Sequence, residues 1–395
     1  MFSLPYKKIP VSIKLAVSQW RKKLMSQTLA HSDIWDLPKT DLHRHIDGSI
    51  RPEVLFKLAK EVGVKLPTDN LQEFIKLYQI TDKDMSVDDM LRRFGWAIAV
   101  MRSQRGLYRV AKEHVHDLKR ENIWYSEPRL APGYLGIYPP PWYVPEEYEI
   151  EPFKPMSLEE VTKQTLKGLQ SGMKDTGVTV NLINSIARES LTVYGPQSVT
   201  DIVDLSIRFQ NEGVVAIGLD CNELVYPTKP YGKYFRKTLG TKIRRNPHAG
   251  EMGGDEQRLE SIGDAITGLS ADGLAHAIPL HKSKYWMAIA RGSNIRVERT
   301  PLSPVPGCSL ADGHLDVLLE HKVPVVITSD DPALMKKSLT DNWEAALNYH
   351  DYGEEEYWQM TANALNTAFY RDQAQKEKVQ AEFIKRGLSR SLLKP

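Results

Sequence analysis

The chain has 395 residues, 41% of them hydrophobic and 26% charged, a mix that builds a folded core in one large domain or two average ones and excludes disorder as its general state. Fifty-two Lys and Arg against fifty Asp and Glu leave a net charge of +2, which exerts no general pull toward nucleic acid or an acidic membrane, so a small molecule is the expected partner. The two cysteines, Cys221 and Cys308, exclude a disulfide framework and point to a reducing, cytoplasmic setting, and no apolar run approaches the ~18 to 20 residues of a membrane span.

In chain order, the first 32 residues carry six Lys or Arg and no Asp or Glu, a balance also found in transit peptides, while Ser12 to Leu29 has the periodicity of an ordinary amphipathic helix. Residues 1–36 are therefore expected to form a helical extension. From residue 39 onward, short β-rich runs alternate with helical patterns. Eight runs are expected as strands: Lys39–His45, Ile123–Leu130, Val178–Ser185, Val214–Leu219, Lys242–His248, Gly273–His276, Asn294–Glu298 and Pro324–Ser329. Helical stretches separate them, among them Leu158–Met173, Ile202–Gln210, Arg258–Leu269 and Leu310–His321. Eight such units, with no Gly-rich dinucleotide fingerprint after the first strand, predict an α/β protein of the (β/α)8 TIM-barrel class over residues 37–375, with a helical tail at 376–395. The long gap between strands one and two is expected to hold about three helices as an insertion, the longest being Asp88–Lys119. Gly133 to Pro155, rich in proline and aromatic residues, follows the second strand directly and so belongs at the face where barrel active sites lie. Tyr138, Trp142 and Tyr143 are its candidates for covering a pocket; packing on the barrel flank or in a homo-oligomer interface is the alternative.

His43 and His45 stand two apart at the end of the first strand, so the period of two puts both imidazoles on one face. His114 and His116 have the same spacing in a helical stretch, where the pair diverges by roughly 200° and cannot share an ion. His248 ends the fifth strand and opens His248-Ala249-Gly250-Glu251, whose small residues permit a sharp turn. His276 ends the sixth strand, and Asp330 and Asp331 end the eighth before Pro332 stops it. Each has a bland reading alone, as a core histidine, a helix cap or a solvated turn residue, but structural polar groups have no reason to gather at one end of a barrel. Three imidazoles and a carboxylate suit one zinc ion, with His276 as a base beside the metal-activated water and Glu251 as a proton donor. Asp331 is then left for the substrate, and the absence of lysine from Leu219-Asp220-Cys221-Asn222 favours a single metal.

Leu42-His43-Arg44-His45-Ile46-Asp47-Gly48-Ser49, His248-Ala249-Gly250-Glu251 and Ser329-Asp330-Asp331-Pro332, supported by Tyr125-Ser126-Glu127-Pro128-Arg129-Leu130-Ala131-Pro132, resemble the adenosine deaminases of the amidohydrolase group in order and spacing. The resemblance runs from about residue 37 to residue 375. It implies a zinc held by His43, His45, His248 and Asp330, a hydroxide assisted by His276, and Glu251 protonating purine N1. It further implies Asp331 at N7 and Asp47 at the ribose 5′-hydroxyl, with adenosine becoming inosine and ammonia leaving. Three segments depart from the family pattern: Ala275-His276-Ala277 replaces Gly-His-Gly, Gly218-Leu219-Asp220-Cys221-Asn222 replaces a run whose glycine N–H meets N3, and Thr300-Pro301-Leu302-Ser303-Pro304 replaces a Cys-Pro segment. Cys221 thus adds bulk beside the base. The leading expectation is a zinc-dependent hydrolase of adenosine or a related 6-aminopurine nucleoside. The alternatives are another metal-dependent amidohydrolase of an amide, lactone or ester, and a non-catalytic binding protein, against which retention of Glu251 and His276 argues.

Overall fold

A computed structural model describes residues 29–80, 87–303 and 314–394. The strands are β1 (Lys39–His45), β2 (Ile123–Leu130), β3 (Thr179–Val180), β4 (Leu182–Ala187), β5 (Val214–Asp220), β6 (Arg244–Ala249), β7 (Gly273–His276), β8 (Arg296–Arg299) and β9 (Val325–Ile327). They run parallel in the order β1-β2-β4-β5-β6-β7-β8-β9, and β3, one residue short of β4, pairs with β2, so that β3 and β4 are two pieces of one stave. Eight staves result. The ring is closed by main-chain bonds between its first and last members: His45 N–H donates to Asp330 O and Asp330 N–H to His43 O, both at 2.9 Å. This is the (β/α)8 barrel that eight apolar runs separated by helical patterns require, since parallel strands need helical crossovers that cover the outer face.

The insertion between β1 and β2 contains helices Pro52–Val62, Leu71–Tyr78, Val87–Met101 and Gln104–Arg120. The single long helix expected at Asp88–Lys119 is two. Ser103 has an extended backbone and its side chain accepts from Gly106 N–H, which starts a new helix at Gln104. Within that helix His114 is buried, and His116 faces Asp175 at 3.4 Å, so the pair diverges as its spacing requires. The expected helix Arg258–Leu269 starts three residues earlier, at Asp255, and passes into a π-turn at Asp264–Gly268. Nearly all of the expected Ser12–Leu29 helix, the start of Leu310–His321, and Cys308 lie outside the described residues. Helix Gln373–Lys385 straddles the expected start of the tail, and its Val379 and Phe383 pack against Leu42 of β1 and Tyr125 of β2. Among the described residues no helix is long and apolar enough to cross a membrane.

The barrel interior holds a buried ionic network. Arg296 of β8 donates to Glu298 Oε1 at 2.6 Å, lies 2.7 Å from Glu127 Oε2 of β2, and stacks its guanidinium 3.8 Å from the centre of the Phe369 ring. All three charged side chains are fully buried. Removing one partner from such a group strands the other charges in a low-dielectric interior. Arg296→Met is therefore expected to cost about 3 to 5 kcal/mol of unfolding free energy, read from urea denaturation; a cost under about 1 kcal/mol would show that this network does not support the barrel.

Candidate metal centre and active site

Four strand ends deliver the predicted groups to one point. His43 and His45 come from β1, His248 from β6, His276 from the end of β7, and Asp330 from just beyond β9. Ligand atoms of His43, His248, His276 and Asp330 all lie within 4.8 Å of one another. His43 Nε2 and His45 Nε2 face the same oxygen, Asp330 Oδ1, at 3.3 and 3.4 Å, so the period-two spacing of β1 does place both rings at the centre. His45 also groups with Asp47 and Asp331. His43 is fully buried, yet neither of its ring nitrogens makes a hydrogen bond, an arrangement that is costly unless an ion or ligand completes it.

The electrostatics suit a cation. Burial, reinforced by the positive charge of Arg129, pushes His43 well below the ordinary imidazole range, and burial lowers His45 to about 4 and His276 well down. These rings are neutral at physiological pH, which is the ligating form. Burial also disfavours charge on His248, but Asp220 outweighs it and raises that ring overall. A buried donor set of neutral imidazoles with one carboxylate fits a divalent metal of the zinc type, and these residues can hold one.

Glu251 Oε1 lies 3.4 Å from His276 Nε2, and burial raises the Glu251 carboxyl to about 7. Asp331 is pushed well above the usual carboxylate range by burial and by the neighbouring Asp330, and Asp47 is raised to about 7 by burial. The approach of Asp331 to β1 depends on Gly48, where a Cβ would stand 1.7 Å from Asp331 Oδ1. Left-handed backbone recurs at the mouth in residues other than glycine: Cys221 (φ 79°), His276 (φ 66°), Ala277 (φ 46°) and Asp330 (φ 64°). Such conformations cost of order 1 to 3 kcal/mol each and collect where a site over-determines the chain. At Ala277 the resembled family carries glycine, and the backbone here keeps a glycine-like φ despite the methyl group.

Several working residues carry no local signal. Arg129 of β2 donates to Asn246 Oδ1 at 2.5 Å and to Asp220 Oδ1 and Glu298 Oε2 at 3.3 Å each. Those carboxylates in turn face ring nitrogens of the metal group, Asp220 Oδ1 at 2.9 Å from His248 Nδ1 and Glu298 Oε2 at 3.4 Å from His43 Nδ1. Carboxylates behind ligand histidines fix tautomer and ring orientation. Glu223 accepts the main-chain N–H groups of Gly250, Glu251 and Met252 and the Ser261 hydroxyl, so one buried carboxylate shapes the turn that presents Glu251.

The aromatic segment divides its contacts between neighbouring helices and the barrel mouth. The Tyr138 hydroxyl donates to Asp201, and Tyr143 is buried with its hydroxyl on Glu149, which also takes Arg102. Trp142 stands edge-on to Tyr134 and to Tyr143. Glu149, buried and held by Arg102, takes the Phe153 N–H as well and gathers this part of the segment inward. Tyr134 is the member that meets a mouth residue, its hydroxyl lying 3.0 Å from Cys221 Sγ.

The sequence model for the family described as adenosine deaminase matches residues 38–385. An adenosine deaminase of Vibrio cholerae is 29% identical over 344 residues, covering 86% of this chain and 96% of that protein. One from Yersinia pseudotuberculosis is 27% identical over 340 residues, covering 85% and 95%. Among solved structures, an adenine deaminase from Arthrobacter aurescens superposes with a TM-score of 0.72 at 22% identity, covering 88% of this chain and 98% of that one. An amidohydrolase from Burkholderia ambifaria with bound zinc gives 0.74 at 20% identity, covering 93% and 97%. The N6-methyl-AMP deaminase of Arabidopsis thaliana gives 0.71 at 20% identity, covering 91% and 99%. At these identities the superpositions speak to the fold.

The role of Glu223 is open to direct measurement. Glu223→Ala removes the acceptor for three main-chain N–H groups while leaving every residue of the metal group in place. Turnover is expected to fall at least ~10-fold through misplacement of Glu251, with metal content retained. Unchanged turnover would show that the turn holds its shape without this carboxylate.

Proposed function

The chain belongs to the adenosine deaminase family, and from that premise we propose that it is a zinc-dependent hydrolase that deaminates adenosine or a related 6-aminopurine nucleoside. The observation that carries this reading is the meeting of neutral His43, His45 and His276 with His248 and Asp330 beside a carboxyl, Glu251, that burial holds near 7. His43, His45, His248 and Asp330 would hold one zinc. When bound, zinc makes a nucleophile available at neutral pH by lowering the pKa of water from 15.7 toward ~7.

The remaining work falls to the protein. His276, neutral and beside Asp330, accepts a proton from the attacking water. Glu251, substantially protonated at neutral pH, delivers a proton to N1 and so lets C6 accept the incoming oxygen. Burial and the neighbouring Asp330 raise the Asp331 carboxyl, which favours the donor form that N7, a lone-pair acceptor, requires. The C6–N bond then breaks as the proton taken up by His276 passes to the amino group, which leaves as ammonia, while the hydroxyl proton returns to Glu251 and the ring becomes a 6-oxopurine. Asp47 accepts from a free 5′-hydroxyl; a phosphate there would meet a second acidic group, which favours a nucleoside over a nucleotide. A soluble cytoplasmic enzyme of one chain or of several identical chains is consistent with the composition.

Ammonia release with an ultraviolet change on addition of adenosine tests the reaction, and metal analysis tests the ion. About one zinc per chain is expected. His43→Ala should lower metal content and activity together, whereas Glu251→Gln should keep zinc and cut turnover by at least ~100-fold. Replacement of half-buried His116 should leave zinc content unchanged, and full occupancy after loss of two ligands would sink the assignment.

A further inference from the structure

One polar cluster at the barrel mouth is unused by the chemistry above. Tyr134 on the turn after β2, Glu189 two residues beyond β4 and Cys221 directly after β5 converge from three neighbouring staves. The Tyr134 hydroxyl donates to Glu189 Oε1 and touches Cys221 Sγ at 3.0 Å. Glu189 is only 5% exposed, and its second oxygen, Oε2, is buried and accepts no hydrogen bond. The adjacent guanidinium of Arg188 gives it no relief, since it donates to Tyr226 O, Thr228 Oγ1 and His248 O. Burial, followed by the charge of Glu189, keeps the Cys221 thiol protonated, and Cys221 holds a left-handed backbone that a side-chain-bearing residue adopts only under local constraint. An acceptor left bare inside a protein is expensive, and natural structures leave few of them without a use.

We propose that Glu189 Oε2 is the acceptor for a hydrogen-bond donor on the substrate edge between purine N1 and the sugar, either a 2-amino group or a ribose 2′-hydroxyl. The proposal rests on the aminopurine reading, and its geometry follows from stave order. With N1 at Glu251 after β6, N7 at Asp331 after β9 and the 5′-hydroxyl at Asp47 after β1, the staves left for that edge are β5, β4 and β2. The cluster stands there. Adenine itself offers only the N3 lone pair and a C2–H on this edge, and a carboxylate repels the first and gains nothing from the second. A carboxylate at this place is matched by a donor, so the cluster selects substrates that carry one.

The test compares kcat/KM for ammonia release by the zinc-loaded full chain on adenosine, 2′-deoxyadenosine, 2,6-diaminopurine riboside and its 2′-deoxyriboside. These four carry, in turn, the 2′-hydroxyl alone, neither donor, both donors, and the 2-amino group alone. The wild-type protein should favour at least one donor over its absence by roughly 10- to 100-fold, the scale of a hydrogen bond to a charged group. Glu189→Met, similar in length but without an acceptor, should bring that ratio close to one, and whichever pair collapses identifies the donor. Wild-type ratios near one for both donors would overturn the proposal without any variant, as would a Glu189→Met protein that loses rate on all four nucleosides with its ratios intact. If the zinc-loaded wild-type chain releases ammonia from none of the four, the aminopurine reading itself falls and the assignment of Glu189 falls with it.

Discussion

Everything at the mouth of this barrel stands on the buried guanidinium of Arg129. It is fully enclosed and holds Asp220 on one side and Glu298 on the other, with Asn246 between them. The carboxylates face the site histidines, Asp220 meeting His248 and, at 3.9 Å, His45, and Glu298 meeting His43. Charges of this kind are tolerated in an interior only when every one has a partner, and the partners here are drawn from β2, β5, β6 and β8. The orientation of two candidate ligands is thereby coupled to the packing of the whole barrel. Asp220 illustrates the balance: burial alone would raise its carboxyl, but His248 and Arg129 hold it well below the ordinary range. The negative charge so preserved is what raises His248 against its own burial.

Backbone strain is the second organising element. Strands that run parallel all present their C-terminal ends to the same face, and at Cys221, His276 and Asp330 the chain leaves its strand through left-handed geometry. That turn lets a side chain at the very end of a strand reach across the mouth instead of continuing the pleat. The cost is carried by neighbours with fixed positions, such as Gly48 against Asp331 and Glu223 beneath the Glu251 turn.

What could be read in the sequence was what depends on local periodicity. β1, β2 and β7 have the boundaries their apolar patterns predict, and the two-residue spacing of His43 and His45 brings both rings to Asp330. The carbonyl-to-amide break at Ser103 was harder, because the apolar stripe continues across it and the interruption lies in the cap chemistry. Arg129, Asp220, Glu223, Glu189 and Glu298 were illegible for another reason. A charged residue in a strand pattern reads as a solvated face, and its partners here lie tens to hundreds of residues away in the chain, as Glu298 does from Arg129. For the segment 133–155, proline and aromatic content show that a loop is stiff but not which way it runs, and contacts such as that of Glu149 with Arg102, in the turn between two helices of the insertion, carry no local signal. The resemblance of the motifs supplied the role of Asp47 and the purine atoms met by Asp331 and Glu251, which no periodicity contains.

The two main-chain bonds that close the barrel are formed by His43, His45 and Asp330; His43 and Asp330 belong to the buried group that could hold a metal, and His45 faces the same Asp330 oxygen. Ring closure and site assembly are therefore one event, and it joins segments from opposite ends of the barrel sequence. During synthesis β1 emerges early and β9 late, so a growing chain carries two unpaired parallel edges until its last stave docks. A fold with such long-range closure is slow to complete, and no partial product of translation can hold the full donor set. A ribosome that stops before residue 330 therefore yields a chain that is open-edged and lacks Asp330 from its donor set.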